Sequence, residues 1–269
     1  MASNRRTFLK AGLATSLIGG IGLFVKGLVG SNSNQSAPTS APSSSTTVTS
    51  RPTPTLSPIQ TPSVTATPMS DADISHGPTD SGKVALTFHG AGDAKLAQAI
   101  LDEVKSAGIG ITVMAVGSWV VDQPQWVKRI VAEGHDLGNH TMTHQAMMHL
   151  SAAQASREIA QCSTAIHDAV GQDPKWFRPS GTPVSNATIR RAAQAHGFAQ
   201  CITYNVDSMD YTDPATSVVV NSVLDVIKSG DIVSLHLGHA VTTKALPKII
   251  EGISAKSLTM VTVSDLLGA

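Results

Sequence analysis

Three glycine signatures are missing from this sequence of 269 residues, and their absence removes two classes of chemistry. Neither G-x-G-x-x-G nor the lysine-bearing phosphate loop occurs, so the stretch HGAGD at residues 89–93 is not a nucleotide cradle. There is no G-x-S-x-G elbow either, which sets aside an α/β hydrolase with a serine nucleophile. An excess of one charge is also lacking, with 19 basic and 19 acidic residues. Five of the basic residues (Arg5, Arg6, Lys10, Lys26, Arg51) and two of the acidic ones (Asp71, Asp73) precede residue 79. That leaves 14 against 17, a formal charge of −3, and no basic patch for nucleic acid. Cysteine is scarce: Cys162 and Cys201 could pair outside the cytoplasm or remain two buried thiols. Finally, residues 1–30 hold several glycines and Lys26, and fall short of the ~20 apolar residues of a spanning helix.

What the leader does contain is NRRTFLKAG, with Arg5 and Arg6 ahead of a mildly apolar stretch. This pattern predicts export by the twin-arginine route, with a short membrane anchor as the other reading, since no A-x-A cleavage site stands near Gly30. Residues 31–78 are nearly all Ser, Thr, Pro, Ala and Asn. Such a segment buries too little apolar surface to offset its ordering entropy and is expected to be a disordered tether. Residues 79–269 have the size of one domain with a full core.

Within that domain, short β-rich runs alternate with helical patterns. The expected strands are 84–88, 111–117, 135–140, 175–179, 201–206, 231–237 and 258–263. Most of the intervening segments carry apolar residues at helical spacing and run into glycine. This order predicts a parallel sheet with helices outside, in the form of a distorted (β/α)7 barrel, with an open doubly wound sheet as the alternative. In such barrels the chemistry sits at the carboxyl ends of strands. Here those ends carry His89 and Asp93, His140 and His144, Arg178, Asp207 and Asp210, and His236.

His140 and His144 are four residues apart in GNHTMTH, a spacing that lets two imidazoles face one cation from a turn or helix. With a carboxylate from the first strand's loop they would suit a catalytic divalent ion with open positions, zinc or a similar metal. Arg178 beside them would hold a carboxylate or orient a base, or would form a structural ion pair. Asp210 near His236 would keep that imidazole fit to act as an acid; otherwise His236 is a core histidine.

These pieces, in this order, resemble the polysaccharide deacetylases of carbohydrate esterase family 4, the NodB-homology group, from about Lys83 to Leu267. The residues that carry the resemblance are VALTF, GHDLGNHTMTHQAMMHLS, WFRPSG, VDSMDYTDP and the closing GDIVSLHLGHAVTTKALPKIIEGISAKSLTMVTVSDLL. The resemblance implies a distorted barrel and metal-assisted removal of N-acetyl, sometimes O-acetyl, groups from peptidoglycan, chitin-like or xylan-like glycans. It further implies zinc, with cobalt or manganese as alternatives, and a monomer that takes acetylated polysaccharide as its partner. It gives His140 and His144 as ligands, Arg178 as support for charged groups, Asp210 as tuner of His236, and a structural Asp207. Tyr211 and Pro179 would line the sugar site.

The family normally has two aspartates where this chain has His89 and Gly90. Asp93 would then be the third ligand with His89 as base, or His89 the ligand with Asp93 as base, or the activity is lost. A domain that binds carbohydrate without turning it over is the alternative from another class.

Overall fold

The computed structural model describes residues 72–269. The expectations for residues 1–30 and 31–71 lie outside the described residues. Seven parallel strands form one curled sheet in the order β4-β3-β2-β1-β6-β5, with β7 paired to the first half of β1. They are β1 (Lys83–Gly90), β2 (Thr112–Ala115), β3 (Asp136–Asn139), β4 (Trp176–Phe177), β5 (Val206–Asp207), β6 (Ile232–His236) and β7 (Thr259–Val261). Helices α1 (Ala94–Ala107), α2 (Gly117–Asp122), α3 (Pro124–Ala132), α4 (Ala152–Val170), α5 (Ala187–Ala195), α6 (Thr216–Leu224), α7 (Ala240–Ala255) and α8 (Val263–Leu267) connect or follow them. None of the described helices is long and apolar enough to cross a membrane.

The alternation of β1 places the site. Val84, Leu86 and Phe88 join Ile100, Leu101 and Val104 of α1 in the main core, whereas Ala85 belongs to a separate cluster with Met114, Ile202 and Ile232. Successive strand residues face opposite sides, so His89 is in phase with Ala85. Its neighbours in register are Met114 on β2 and His236 on β6. A side chain at position 90 has the other phase, and there is no room for one. A Cβ there would stand 2.8 Å from Val113 Cγ1 and 3.0 Å from Ala115 Cα.

The sheet departs from the expected barrel at one seam, since β4 and β5 do not pair as strands. The expected strand 201–206 shrinks to isolated bridges at Cys201 and Ile202, followed by the two residues of β5. Asn205 shortens β5 on its β6 edge. Its side-chain Oδ1 accepts from Ile232 N–H (3.0 Å) while its amide donates to Asp231 (2.6 Å), so side-chain bonds do part of the ladder's work. The seam is filled from upstream. Ile74 N–H donates to Cys201 O (2.8 Å), Thr203 N–H donates to Ile74 O (2.7 Å), and Gly77 N–H donates to Gly230 O (2.7 Å). The fold therefore begins ahead of residue 79, inside the stretch expected to be linker. The strand expected at 111–117 also ends early, because Gly117 opens α2 with its Cα close against Met142 and Cys162. Both cysteines are buried free thiols.

Candidate active site

Four imidazoles meet at the carboxyl ends of β1, β3 and β6. The His89 ring lies between those of His140 (4.4 Å between centroids) and His236 (4.3 Å), and the His140 and His144 rings are 4.9 Å apart. The ligand nitrogens of His89, His140 and His144 all lie within 4.8 Å of one another. Burial, first of all, holds His89 and His140 well below the usual imidazole pKa of 6.5; for both, neighbouring positive groups add to the effect. His144 is lowered as well, again chiefly by burial. All three are therefore neutral near pH 7, with a lone pair to give.

The His140–His144 loop is a turn built by buried polar contacts, with Thr141 and His144 in left-handed conformation (φ 68° and 57°). Asn139 Oδ1 accepts from Thr141 N–H (2.8 Å), and Glu158 of α4 accepts from both the N–H and the hydroxyl of Thr143 (2.7 Å each). These bonds repay the strained backbone and turn both rings inward. Arg178 contributes through its backbone: its carbonyl lies 2.9 Å from His140 Nδ1 and accepts that N–H, which leaves Nε2 as the free nitrogen. The Nε2 atoms of both His140 and His89 are buried without a hydrogen-bond partner among the described residues.

Asp93 is not part of this group. It ends the loop as the N-cap of α1, its carboxylate accepting from Lys95 N–H (2.7 Å), and it is exposed. An aspartate just before a helix satisfies an orphan amide there, and that local bond wins over a reach back to the histidines. The expectation that Asp93 joins His140 and His144 is thus corrected: the third nitrogen beside them is His89. The guanidinium of Arg178 is corrected too, for among the described residues it meets no carboxylate. Fully buried between β4 and the seam, it donates to Ile202 O (3.2 Å) and Thr203 O (3.0 Å) and stacks on Tyr204 at 5.3 Å. Burial lowers its pKa to about 10.

His236 is held as the sequence suggested. Asp210 Oδ1 is 2.6 Å from His236 Nδ1, and Oδ2 accepts from His236 N–H (2.8 Å) and the Thr242 hydroxyl (2.6 Å). Burial pushes the Asp210 carboxyl up, but these bonds outweigh it and leave it below its ordinary value. Asp207 accepts from Met209 N–H (2.9 Å) and shapes the turn that carries Asp210. Tyr211 and Pro179 line recesses beside the histidines, one of about 400 Å³ with Tyr211 and Gly92, the other of about 300 Å³ with Tyr211, Pro179 and Thr182. A wider one of about 510 Å³ by His135 and Asp136 sits at the start of β3 and holds none of the four converging rings. Glu158, Tyr204 and Thr242 were not foreseen as site residues. No spacing in the sequence marks them, because each acts across the fold.

The family model for polysaccharide deacetylase matches residues 76–201. A peptidoglycan-N-acetylglucosamine deacetylase of Bacillus cereus is 31% identical over 193 residues, covering 71% of this chain and 90% of the relative. Among solved structures, a CE4 family pseudoenzyme from Bacillus anthracis superposes with a TM-score of 0.69 at 26% identity, covering 74% of this chain and 69% of that one. A family 4 carbohydrate esterase from Streptomyces lividans in complex with acetate gives 0.62 at 30% identity, covering 67% and 92%. Identity sustained along nine-tenths of the Bacillus cereus enzyme, on the same fold, means that the chain belongs to the polysaccharide deacetylases, the hydrolases of carbohydrate esterase family 4.

Proposed function

We propose that the protein is an exported, metal-dependent deacetylase that hydrolyses acetamido groups of an extracellular or cell-wall glycan. One observation carries the reading: the ligand nitrogens of three neutral imidazoles lie within 4.8 Å of one another, those of His89 and His140 buried without a partner among the described residues, and the Asp210-held His236 stands beside them. The donor set fits a borderline metal, since three nitrogens and no carboxylate suit zinc or cobalt better than magnesium or calcium. His89, His140 and His144 would hold the ion. Once bound there, a divalent cation supplies Lewis acidity toward an acyl oxygen and toward water.

The rest is the work of the chain. Asp210 fixes the Nδ1–H tautomer of His236, leaving Nε2 free to move a proton. With His89 among the ligand nitrogens and Asp93 spent on a helix cap, His236 is the proton carrier for both halves of the reaction. Its Nε2 takes a proton from the attacking water as the O–C bond forms. It then hands that proton to the departing nitrogen as the C–N bond breaks, releasing acetate and an amine. Tyr211, 46% exposed, offers an aromatic wall for a sugar ring. The paired arginines at residues 5 and 6 support export.

A second reading, a glycan-binding domain without turnover, is favoured by the lack of any carboxylate in the ligand group and by the likeness to a pseudoenzyme. Acetate release from acetylated chitin, peptidoglycan and xylan, with and without zinc, decides between them. The deacetylase needs one ion per chain and loses release on His140→Ala. Glycan binding that survives chelation, with no acetate formed, leaves the second reading standing.

A further inference from the structure

The recess of about 400 Å³ is bounded on the α7 side by His239, a residue the reaction above does not use. The arrangement of His236 is repeated there three residues on. Asp213 Oδ1 lies 3.0 Å from His239 Nδ1, as Asp210 Oδ1 lies near His236 Nδ1, and the two rings stand 5.6 Å apart edge to face. Both aspartates sit on one short turn, where Asp213 adopts a left-handed conformation (φ 50°) and donates its N–H to Asp210 O (3.0 Å). The His239 ring has little structural duty. It occupies the N-cap position of α7 without making a side-chain cap bond, and its side chain is 27% exposed. With Nδ1–H given to Asp213, Nε2 is an acceptor with no partner among the described residues.

The space in front of it suits a sugar. Gly92 and Gly238 pack backbone to backbone, so closely that a Cβ on Gly92 would stand 2.4 Å from Gly238 Cα, and they present a floor without side chains. Tyr211 stands as the aromatic wall. A pyranose places its carbon face on an aromatic ring and its hydroxyls toward polar groups, and the exposed Asp213 carboxylate beside His239 disfavours an anionic one.

We infer that His239, held by Asp213, is a specificity-determining residue that accepts a hydrogen bond from a hydroxyl of an uncharged sugar ring seated beside the one being deacetylated. This rests on the deacetylase reading. The test is titration of the full chain, metal-free, with the pentamer of N-acetylglucosamine, alongside KM and kcat for the same pentamer in the metal-loaded protein. His239→Ala should raise Kd and KM by about three- to tenfold, the weight of one neutral hydrogen bond, with kcat held within about twofold. Asp213→Asn should move both the same way by less, and His239→Gln, which returns an acceptor, should recover most of the loss. If the wild-type chain binds the pentamer and His239→Ala binds it equally, or if kcat falls while KM stays, the inference is overturned and the deacetylase reading stands. If the wild-type chain does not bind the pentamer, the inference falls; if it also releases no acetate from the pentamer, peptidoglycan or xylan, the deacetylase reading falls with it.

Discussion

Replacing Asp93 and His89 in turn separates a helix cap from a ligand. The Asp93 carboxylate makes one bond, to Lys95 N–H at the start of α1, and its side chain is outside the group of three histidines. Loss of an N-cap bond costs about 1 kcal/mol. For a domain of this size that lowers Tm by about 2–4 °C. Asp93→Ala should therefore melt earlier yet keep its zinc, and Asp93→Ser, which can still cap, should restore the Tm. His89→Ala removes one of three nitrogens, so zinc affinity should fall by more than about 100-fold, beyond what loss of a supporting contact alone costs. Differential scanning calorimetry of the metal-free proteins and zinc competition against a chromogenic chelator read the two effects separately. Zinc lost from Asp93→Ala at an unchanged Tm would refute the assignment and return the carboxylate to the ligand set.

Other outcomes follow from the buried groups. Because the folded-state pKa values of His89 and His140 lie well below 6.5, the unfolded chain takes up protons there that the folded chain refuses. Their contribution is full above about pH 6.5 and is lost as pH falls below it, about 1 kcal/mol per ring between pH 6.5 and about 5.5. His89→Gln should flatten the acid slope of denaturant-measured stability by that amount, and parallel slopes would mean the ring is protonated in the fold. Asp210→Asn leaves the ring of His236 without its anionic partner and should cut kcat by about 100-fold or more with little change in KM; an unchanged kcat would remove His236 from proton transfer. Burial pushes the Cys162 and Cys201 thiols up to about 12 and about 11, so iodoacetamide should label them only in denaturant, and reduction should not shift the mass of the folded protein.

Much of this site could be read from the residue order, and what could not has definite causes. His140 and His144 carry their own spacing, and Asp210 and His236 lie at strand ends where barrels gather chemistry. His89 as ligand was one of the readings the sequence left open, and Asp93 stood ahead of it because a three-residue glycine loop seemed long enough to bring that carboxylate back. Yet the capping signal was present, an aspartate directly ahead of AKLAQAI, and it was the stronger local preference. The partners of Arg178, the carbonyls of Ile202 and Thr203, are brought beside it only by the fold, which no local pattern near residue 178 encodes. The seam between β4 and β5 was hidden for a related reason. CITYNV has the composition of a strand, and nothing in it tells that Ile74 takes the backbone of Cys201 and Thr203 on one edge while the Asn205 side chain shortens the ladder on the other.

That seam ties the front of the domain to its grip on substrate. Ile74 is in effect a missing stave of the barrel, and next to it the Asp73 carboxylate accepts from Ser185 N–H (2.6 Å), at the end of the loop whose Gly181, Thr182 and Pro183 wall the smaller recess. A protease cut just after residue 78 would leave the four site histidines in place and still loosen that wall, so glycan would be held less firmly by a protein whose reacting groups are all intact.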